Sequence, residues 1–246
     1  MWLKSGDHSV LVSPQGGSIL QWQWREHFIL GPARMVRIGD TLKMRGETHW
    51  CYPNFGTIRE PKYVGFFPQH GFLRNRVLDV TAHSTDSVRF ETLTLLDNDL
   101  LRVGIRTYRH GITAYLLVTN DSGEERIPTL PALHPYFSVP RDGLCIGVAG
   151  KSIENTDIPS NDHPEENMII ERRGLPVSVN LHGIGRVHLV TTGNCSHVVI
   201  WSDKSSEYVC VEPIFGKPGT YGTEKGLWLN PGETAQCEVG FHFEPA

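Results

Sequence analysis

Apolar and polar residues alternate with a period of two along much of the chain. Leu101, Val103 and Ile105 interleave with Arg102, Gly104 and Arg106, and an apolar run from Ala114 to Val118 follows a glycine-containing turn. That pattern predicts a β-hairpin. The same period returns over residues 88–95 and near the carboxyl end, where Cys237, Val239, Phe241 and Phe243 alternate with Gln236, Glu238, Gly240 and His242. Residues two apart share one face of a strand, so each run offers a single apolar face to a core. Turn-rich joints at residues 13–17, 120–123 and 140–143 separate such runs, and none is long enough to be an interdomain linker. Residues 153–173, polar and containing Pro159 and Pro164, read as a long surface loop or an edge excursion. Many short strands with no helices to cover them predict an all-β fold, an antiparallel β-sandwich or barrel, with residues 1–246 in one domain.

Composition strengthens that picture. With 25 Gly and 16 Pro in 246 residues, backbone punctuation leaves little room for long helices. The 39% hydrophobic content suffices for a core without disulfides or a structural metal. A formal charge of −4 argues against a nucleic-acid or anionic-membrane partner. No apolar run approaches the roughly 18 residues that would span a bilayer. The amino-terminal stretch Met1-Trp2-Leu3-Lys4-Ser5-Gly6-Asp7 carries no secretion signal. Five cysteines, odd in number and without a Cys-x-x-Cys pair, read as reduced thiols in a cytoplasmic protein.

Twelve histidines make metal chemistry the first candidate to test. Neither His-x-His nor His-Glu-x-x-His occurs, so a divalent site would have to be assembled entirely by tertiary contacts, and no metal is expected. The glycine and serine signatures of nucleotide binding and covalent serine catalysis are also missing, and no cofactor is expected.

Three segments place an ionisable group beside residues that fix its position. In Pro68-Gln69-His70-Gly71-Phe72-Leu73-Arg74, Gly71 would let the backbone approach a ligand while His70 and Arg74 donate hydrogen bonds. The plainer reading is a turn leading into a strand. In His134-Pro135-Tyr136-Phe137, the proline stiffens the backbone that aims the imidazole, although a lone histidine is more often a core residue satisfied by a carbonyl. In Tyr208-Val209-Cys210-Val211-Glu212-Pro213, strand periodicity puts Tyr208, Cys210 and Glu212 on one face, with Glu212 closing the strand. A carboxylate desolvated at a pocket mouth suits a general base, whereas most glutamates sit in water at an edge.

Taken in order, the segments resemble the aldose 1-epimerase, or mutarotase, family. The match runs from Gly16-Gly17-Ser18-Ile19 through Pro53-Asn54-Phe55-Gly56, Gln69-His70-Gly71-Phe72 with Arg74, His134-Pro135-Tyr136-Phe137 and Val211-Glu212-Pro213 to Pro231-Gly232-Glu233. The Pro53 stretch leans towards the glucose-6-phosphate 1-epimerase branch. The resemblance implies the galactose mutarotase-like antiparallel supersandwich, an isomerase that interconverts anomers, and a sugar or sugar phosphate as its small-molecule partner. It implies His134 as acid and Glu212 as base, with His70 and Arg74 holding the sugar. For the family's hydroxyl-binding aspartate it offers Asp157, with Asp203 as rival.

From these assignments His134 and Glu212 are expected on opposite sides of one cleft, a pyranose ring apart. Starting as imidazolium and carboxylate, they would give a bell-shaped pH profile. Arg59, Lys62, Arg74 and Arg76 flank the His70 segment, and their convergence would hold a phosphate. The rival from another class is a non-catalytic carbohydrate-binding β-sandwich using the six tryptophans as stacking platforms. A monomer or homodimer fits either reading.

Overall fold

The predicted hairpin forms as Leu100–Tyr108 paired antiparallel with Gly111–Thr119. In this computed structural model, all residues are described except 94–98, 140–144, 149, 155–156, 159–167, 173, 175, 193 and 203–207, so Asp203 and the 140–143 turn lie outside the described residues. The hairpin sits in a 9-stranded sheet. Its neighbour-to-neighbour order is Lys151–Glu154, Cys145–Val148, Val177–Leu181, Gly185–Thr191, Thr234–Pro245, Gly111–Thr119, Leu100–Tyr108, Ser87–Leu93 and Asp79–His83. The last long strand alternates as the sequence requires, with Cys237, Val239, Phe241 and Phe243 buried and the intervening residues partly open.

A second, 10-stranded sheet carries the candidate chemistry. It runs Trp2–Ser5, His8–Ser13, Ser18–Trp24, His27–Leu30, Tyr136–Ser138, Tyr208–Ile214, Ala132–His134 and His49–Cys51, and His197–Trp201 joins Tyr208–Ile214 with Met168–Glu171 beyond it. The two sheets pack face to face over one continuous apolar cluster, in which the Trp22 ring meets Phe241 and Phe243 edge-on. The fold is therefore the expected antiparallel β-sandwich. The segment read as a polar excursion begins and ends in short strands, Lys151–Glu154 at the edge of one sheet and Met168–Glu171 at the side of the other.

Period-two geometry then divides the 10-stranded sheet into two faces. Leu133, Phe137, Val198, Ile200, Val209 and Val211 enter the inter-sheet core, and full burial of each such side chain is worth roughly 1.5–3 kcal/mol. The alternate residues form two smaller apolar clusters on the outer face, Cys51, Ala132, Val199 and Ile214 in one and Tyr136, Tyr208 and Cys210 in the other. His49, His134 and Glu212 fall on the same face by the same alternation. One expectation fails here: Glu212 does not close its strand, because Tyr208–Ile214 continues through Pro213.

Candidate active site

Three neighbouring strands set His49, His134 and Glu212 in a row. His134 pairs with His49 across Ala132–His134 and His49–Cys51. On its other side the register is fixed by Ala132 facing Ile214 and Tyr136 facing Cys210, which puts His134 opposite Glu212. The Phe215 amide donates to the Pro131 carbonyl, 2.9 Å, which makes Ala132 and Ile214, and therefore His134 and Glu212, the closely spaced pair type that exchanges no hydrogen bonds of its own. The bonds closing the ladder around His134 and Glu212 would need amide hydrogens from residues 135 and 213, and both are proline. The backbones there are held by the flanking pairs instead, and the two side chains meet: His134 Nε2 is 3.4 Å from Glu212 Oε1, with the side chains 8% and 2% exposed.

That contact corrects the expectation of a pyranose-wide gap. The sequence offers two groups 78 positions apart, whereas the sheet register makes them direct cross-strand neighbours.

Burial governs the charge state of the pair. Desolvation pushes the Glu212 carboxyl well above the usual carboxylate range. It pushes the His134 imidazole well below its ordinary value, and the neighbouring His49, His70 and Arg74 push in the same direction. Burial thus favours the uncharged form of each group, a protonated carboxyl beside a neutral imidazole, over the imidazolium and carboxylate expected from the sequence. Glu212 Oε2 and His134 Nδ1 are buried without a hydrogen-bond partner.

Aromatic rings wall the pair. His134 stacks between His49, centroids 5.0 Å apart, and Tyr136, 4.8 Å apart. His70 meets its edge at 5.4 Å. His49 Nδ1 lies 2.9 Å from the Glu47 carbonyl, which can only accept. The ring, with its pKa lowered to about 4 by burial, is neutral, so its Nε2 is a bare acceptor, and that atom is buried without a partner. His70 has the opposite tautomer. Its Nδ1 accepts from the Gly56 amide at 3.4 Å, burial lowers its pKa to about 3, and its Nε2 consequently carries the hydrogen.

The sequence motifs explain this placement. Asn54 Nδ2 ties the Gly56 and Pro68 carbonyls together at 2.7 and 3.3 Å, docking the 53–56 stretch under His70. His70 has φ of +65°, a left-handed conformation uncommon outside glycine. Gly71, φ +72°, does not admit a ligand as expected: a Cβ there would overlap the Tyr52 carbonyl, so its glycine serves backbone on backbone. Gly16 likewise lets the short helical turn Leu73–Asn75 come close, since a Cβ there would stand 2.8 Å from Arg74 Cα.

A groove of about 320 Å³ opens beside the pair, lined by Lys43, Arg45, Glu47, His49, Arg74 and Tyr136 among others. Arg74 thus reaches the predicted neighbourhood. Other sequence candidates do not. Arg59 is exposed in the loop after Phe55 and does not line the groove. Lys62 lies over the Tyr63 ring and Arg76 over Phe72. Asp157 is exposed and accepts from the Glu154 amide at 2.9 Å, beside an edge strand of the opposite sheet. In place of the missing cations the groove takes Lys43 and Arg45 from the Thr41–Arg45 strand. No motif surrounds Lys43, Arg45, Glu47 or His49: the register of His49–Cys51 against Ala132–His134 places His49, and the packing of the Arg34–Ile38 and Thr41–Arg45 hairpin brings in Lys43 and Arg45.

Tertiary contacts also assemble a donor group that sequence spacing did not foresee. Ligand atoms of His134, Cys210 and Glu212 all lie within 4.8 Å of one another, a set able to grip a divalent ion at a site otherwise suited to proton transfer. None of the five cysteines forms a disulfide. Among the described residues no helix is long and apolar enough to cross a membrane.

No family model matches the chain, and no curated protein sequence does. Solved structures do. The Slr1438 protein of Synechocystis sp. PCC 6803 superposes with a TM-score of 0.81 at 17% identity, covering 100% of this chain and 96% of its own. The galactose mutarotase related enzyme of Lactobacillus acidophilus gives 0.78 at 18%, covering 99% and 97%. A candidate aldose 1-epimerase of Escherichia coli K12 gives 0.76 at 18%, covering 100% and 98%. The chain has the galactose mutarotase-like fold over its whole length, and its structural neighbours are aldose 1-epimerase-like and mutarotase-like proteins.

Proposed function

We propose that this protein is a cytoplasmic aldose 1-epimerase whose acid–base pair is His134 and Glu212. The observation that carries the reading is the direct, buried contact of these two groups, each with an unpartnered polar atom, beside a polar groove. The hydroxyl and ring oxygens of a hemiacetal are both bonded to C1. A base and an acid standing side by side can therefore serve both oxygens from one flank of the sugar, so a close pair suits the reaction.

Ring opening starts from carboxylate and imidazolium. Glu212 takes the proton of the C1 hydroxyl while His134 gives its proton to the ring oxygen, the bond from C1 to that oxygen breaks, and the open-chain aldehyde forms. Rotation about C1–C2 presents the other face. Closure runs backwards: protonated Glu212 returns its proton to the carbonyl oxygen and neutral His134 removes one from the chain hydroxyl. A protonated Glu212 beside a neutral His134 is thus the state that closes rings, and a proton shift across the contact prepares the pair for opening. Acid–base assistance of this kind is typically worth 10² to 10⁴-fold per group. His70, with hydrogen on Nε2, and His49, with a bare Nε2, are a donor and an acceptor available to sugar hydroxyls.

Lys43, Arg45 and Arg74 at one groove favour an aldose bearing an anionic substituent such as a phosphate. A purely sugar-binding sandwich has less support, because Trp22 and Trp50, two of the tryptophans it would use, are fully buried. The deciding experiment is anomer exchange followed by NMR for glucose and glucose 6-phosphate. Acceleration by the protein supports the reading, and binding without acceleration for either sugar defeats it.

A further inference from the structure

Cys210 and Glu212 stand two apart on Tyr208–Ile214 and therefore project from the same outer face, while the register sets Tyr136 opposite Cys210 and His134 opposite Glu212. An imidazole, a thiol and a carboxyl consequently converge, with ligand atoms of all three within 4.8 Å of one another. Each residue is buried, Cys210 to 0% exposure and Glu212 to 2%. Glu212 Oε2 has no hydrogen-bond partner among the described residues. The proton relay assigned to His134 and Glu212 makes no use of Cys210.

We infer that His134, Cys210 and Glu212 form a site for a divalent cation of the zinc type, which on binding takes the proton-transferring atoms out of use and so inhibits anomer exchange. The inhibitory effect rests on the epimerase reading, whereas the site itself does not. Ligands at roughly 2.0–2.3 Å from one tetrahedral ion lie about 3.3–3.8 Å from each other. His134 Nε2 and Glu212 Oε1 already stand 3.4 Å apart, and three protein ligands leave the fourth position to water. On binding, the thiol and the carboxyl each release their proton to solvent and the imidazole offers a bare ring nitrogen. Two positive charges then meet one thiolate and one carboxylate, so the buried assembly carries no net charge. Arg74, which lines the adjoining groove, works against a cation held by fewer anionic ligands. Magnesium and calcium require about six or more oxygen ligands and find one carboxylate here, whereas thiolate and imidazole together select the softer ion.

The test is titration of the whole protein with Co²⁺, a spectroscopic stand-in for zinc, and with Zn²⁺. Co²⁺ should raise a near-ultraviolet thiolate-to-cobalt charge-transfer band that saturates at one ion per chain and is bleached by Zn²⁺. Changes to outer-shell partners alone cost metal sites about 10–100-fold in affinity, so removing a ligand with Cys210→Ser should weaken Zn²⁺ by at least about 100-fold and abolish the band. Cys210→Ala serves the same purpose if the serine variant melts low. One equivalent of Zn²⁺ should stop anomer exchange by the parent, and EDTA should restore it. Cys210→Ser should exchange anomers within a few-fold of the parent and resist the ion. The band is read without sugar, so a protein that accelerates no anomer exchange defeats the epimerase reading and leaves the site standing. No saturable binding below about 1 mM, a band that persists in the Cys210 variants, or full exchange activity with the ion bound would each overturn the proposal.

Discussion

His134 and Glu212 face each other in one antiparallel register at the point where Pro135 and Pro213 withhold the two amide hydrogens that would close the ladder. Their side chains meet at 3.4 Å. The register makes the pair a closely spaced one, and the proline that follows each residue removes the ladder bonds around it.

Glu212→Gln preserves shape, and burial already disfavours the charged form of the carboxyl it replaces. Its melting temperature should stay within a few degrees of the parent while turnover falls by about 10² to 10⁴-fold. The same loss is expected for His134→Asn. A variant that keeps turnover within a few-fold of the parent takes that residue out of the proton relay.

The pH profile of kcat/KM should be a broad bell, because the active pair holds one proton. With the His134 pKa lowered and that of Glu212 raised, the acid limb marks the second proton arriving on His134, below its ordinary 6.5. The alkaline limb marks the last proton leaving Glu212, above its ordinary 4.5. The imidazolium and carboxylate expected from the sequence would assign the limbs the other way round, the acid limb to Glu212 and the alkaline limb to His134. Retention of the alkaline limb in whatever activity Glu212→Gln keeps would contradict it.

Stability should fall with acid in a definite window. His49 has its pKa depressed from 6.5 to about 4 by burial, so the unfolded chain takes up a proton before the folded one does. Its contribution is complete above pH 6.5 and is lost as pH falls through about 4. The full loss is about 3 kcal/mol at roughly 1.4 kcal/mol per pH unit. Thermal melts at several pH values should show that decline, and His49→Gln should lessen it, the remainder coming from His70 and His134, whose pKa values are lowered in the same direction. An identical acid dependence in the variant would assign the effect elsewhere.

A phosphorylated substrate should depend on the groove's cations. Lys43→Ala should lower kcat/KM for glucose 6-phosphate by several-fold and for glucose hardly at all, and the parent's preference should shrink as salt rises. Arg59→Ala, outside the groove, should change neither. Equal or better handling of glucose by the parent removes the anionic substituent from the reading and leaves the acid–base pair untouched.

Gly71→Ala combines a left-handed φ with a Cβ that overlaps the Tyr52 carbonyl. At least about 2 kcal/mol of destabilisation is expected, with sugar binding weakened because His70 precedes the displaced residue. Unchanged denaturant midpoints would show that the loop relaxes freely.

The fold class was legible along the chain because period-two patterning is a local property: an inward Phe241 or Val103 is specified by its own neighbours. So were the turns, which Gly16, Gly17 and Pro14 dictate through their own dihedral preferences. The ordered motifs brought His134, Glu212, His70 and Arg74 forward as candidates. Tertiary structure alone decided how they meet. Register between strands distant in sequence is set by which faces bury together, and it placed His49 beside His134, and His134 against Glu212, with all three out of water. That burial shifts both groups of the pair towards their uncharged forms, and hydrogen bonds at Nδ1 set the two histidine tautomers, none of which any spacing encodes. Charge convergence was equally invisible, because whether a cation faces a groove depends on the packing of its strand. Lys43 and Arg45 therefore arrived on an unsuspected hairpin, while Arg59 and Asp157, plausible by position, stayed in solvent.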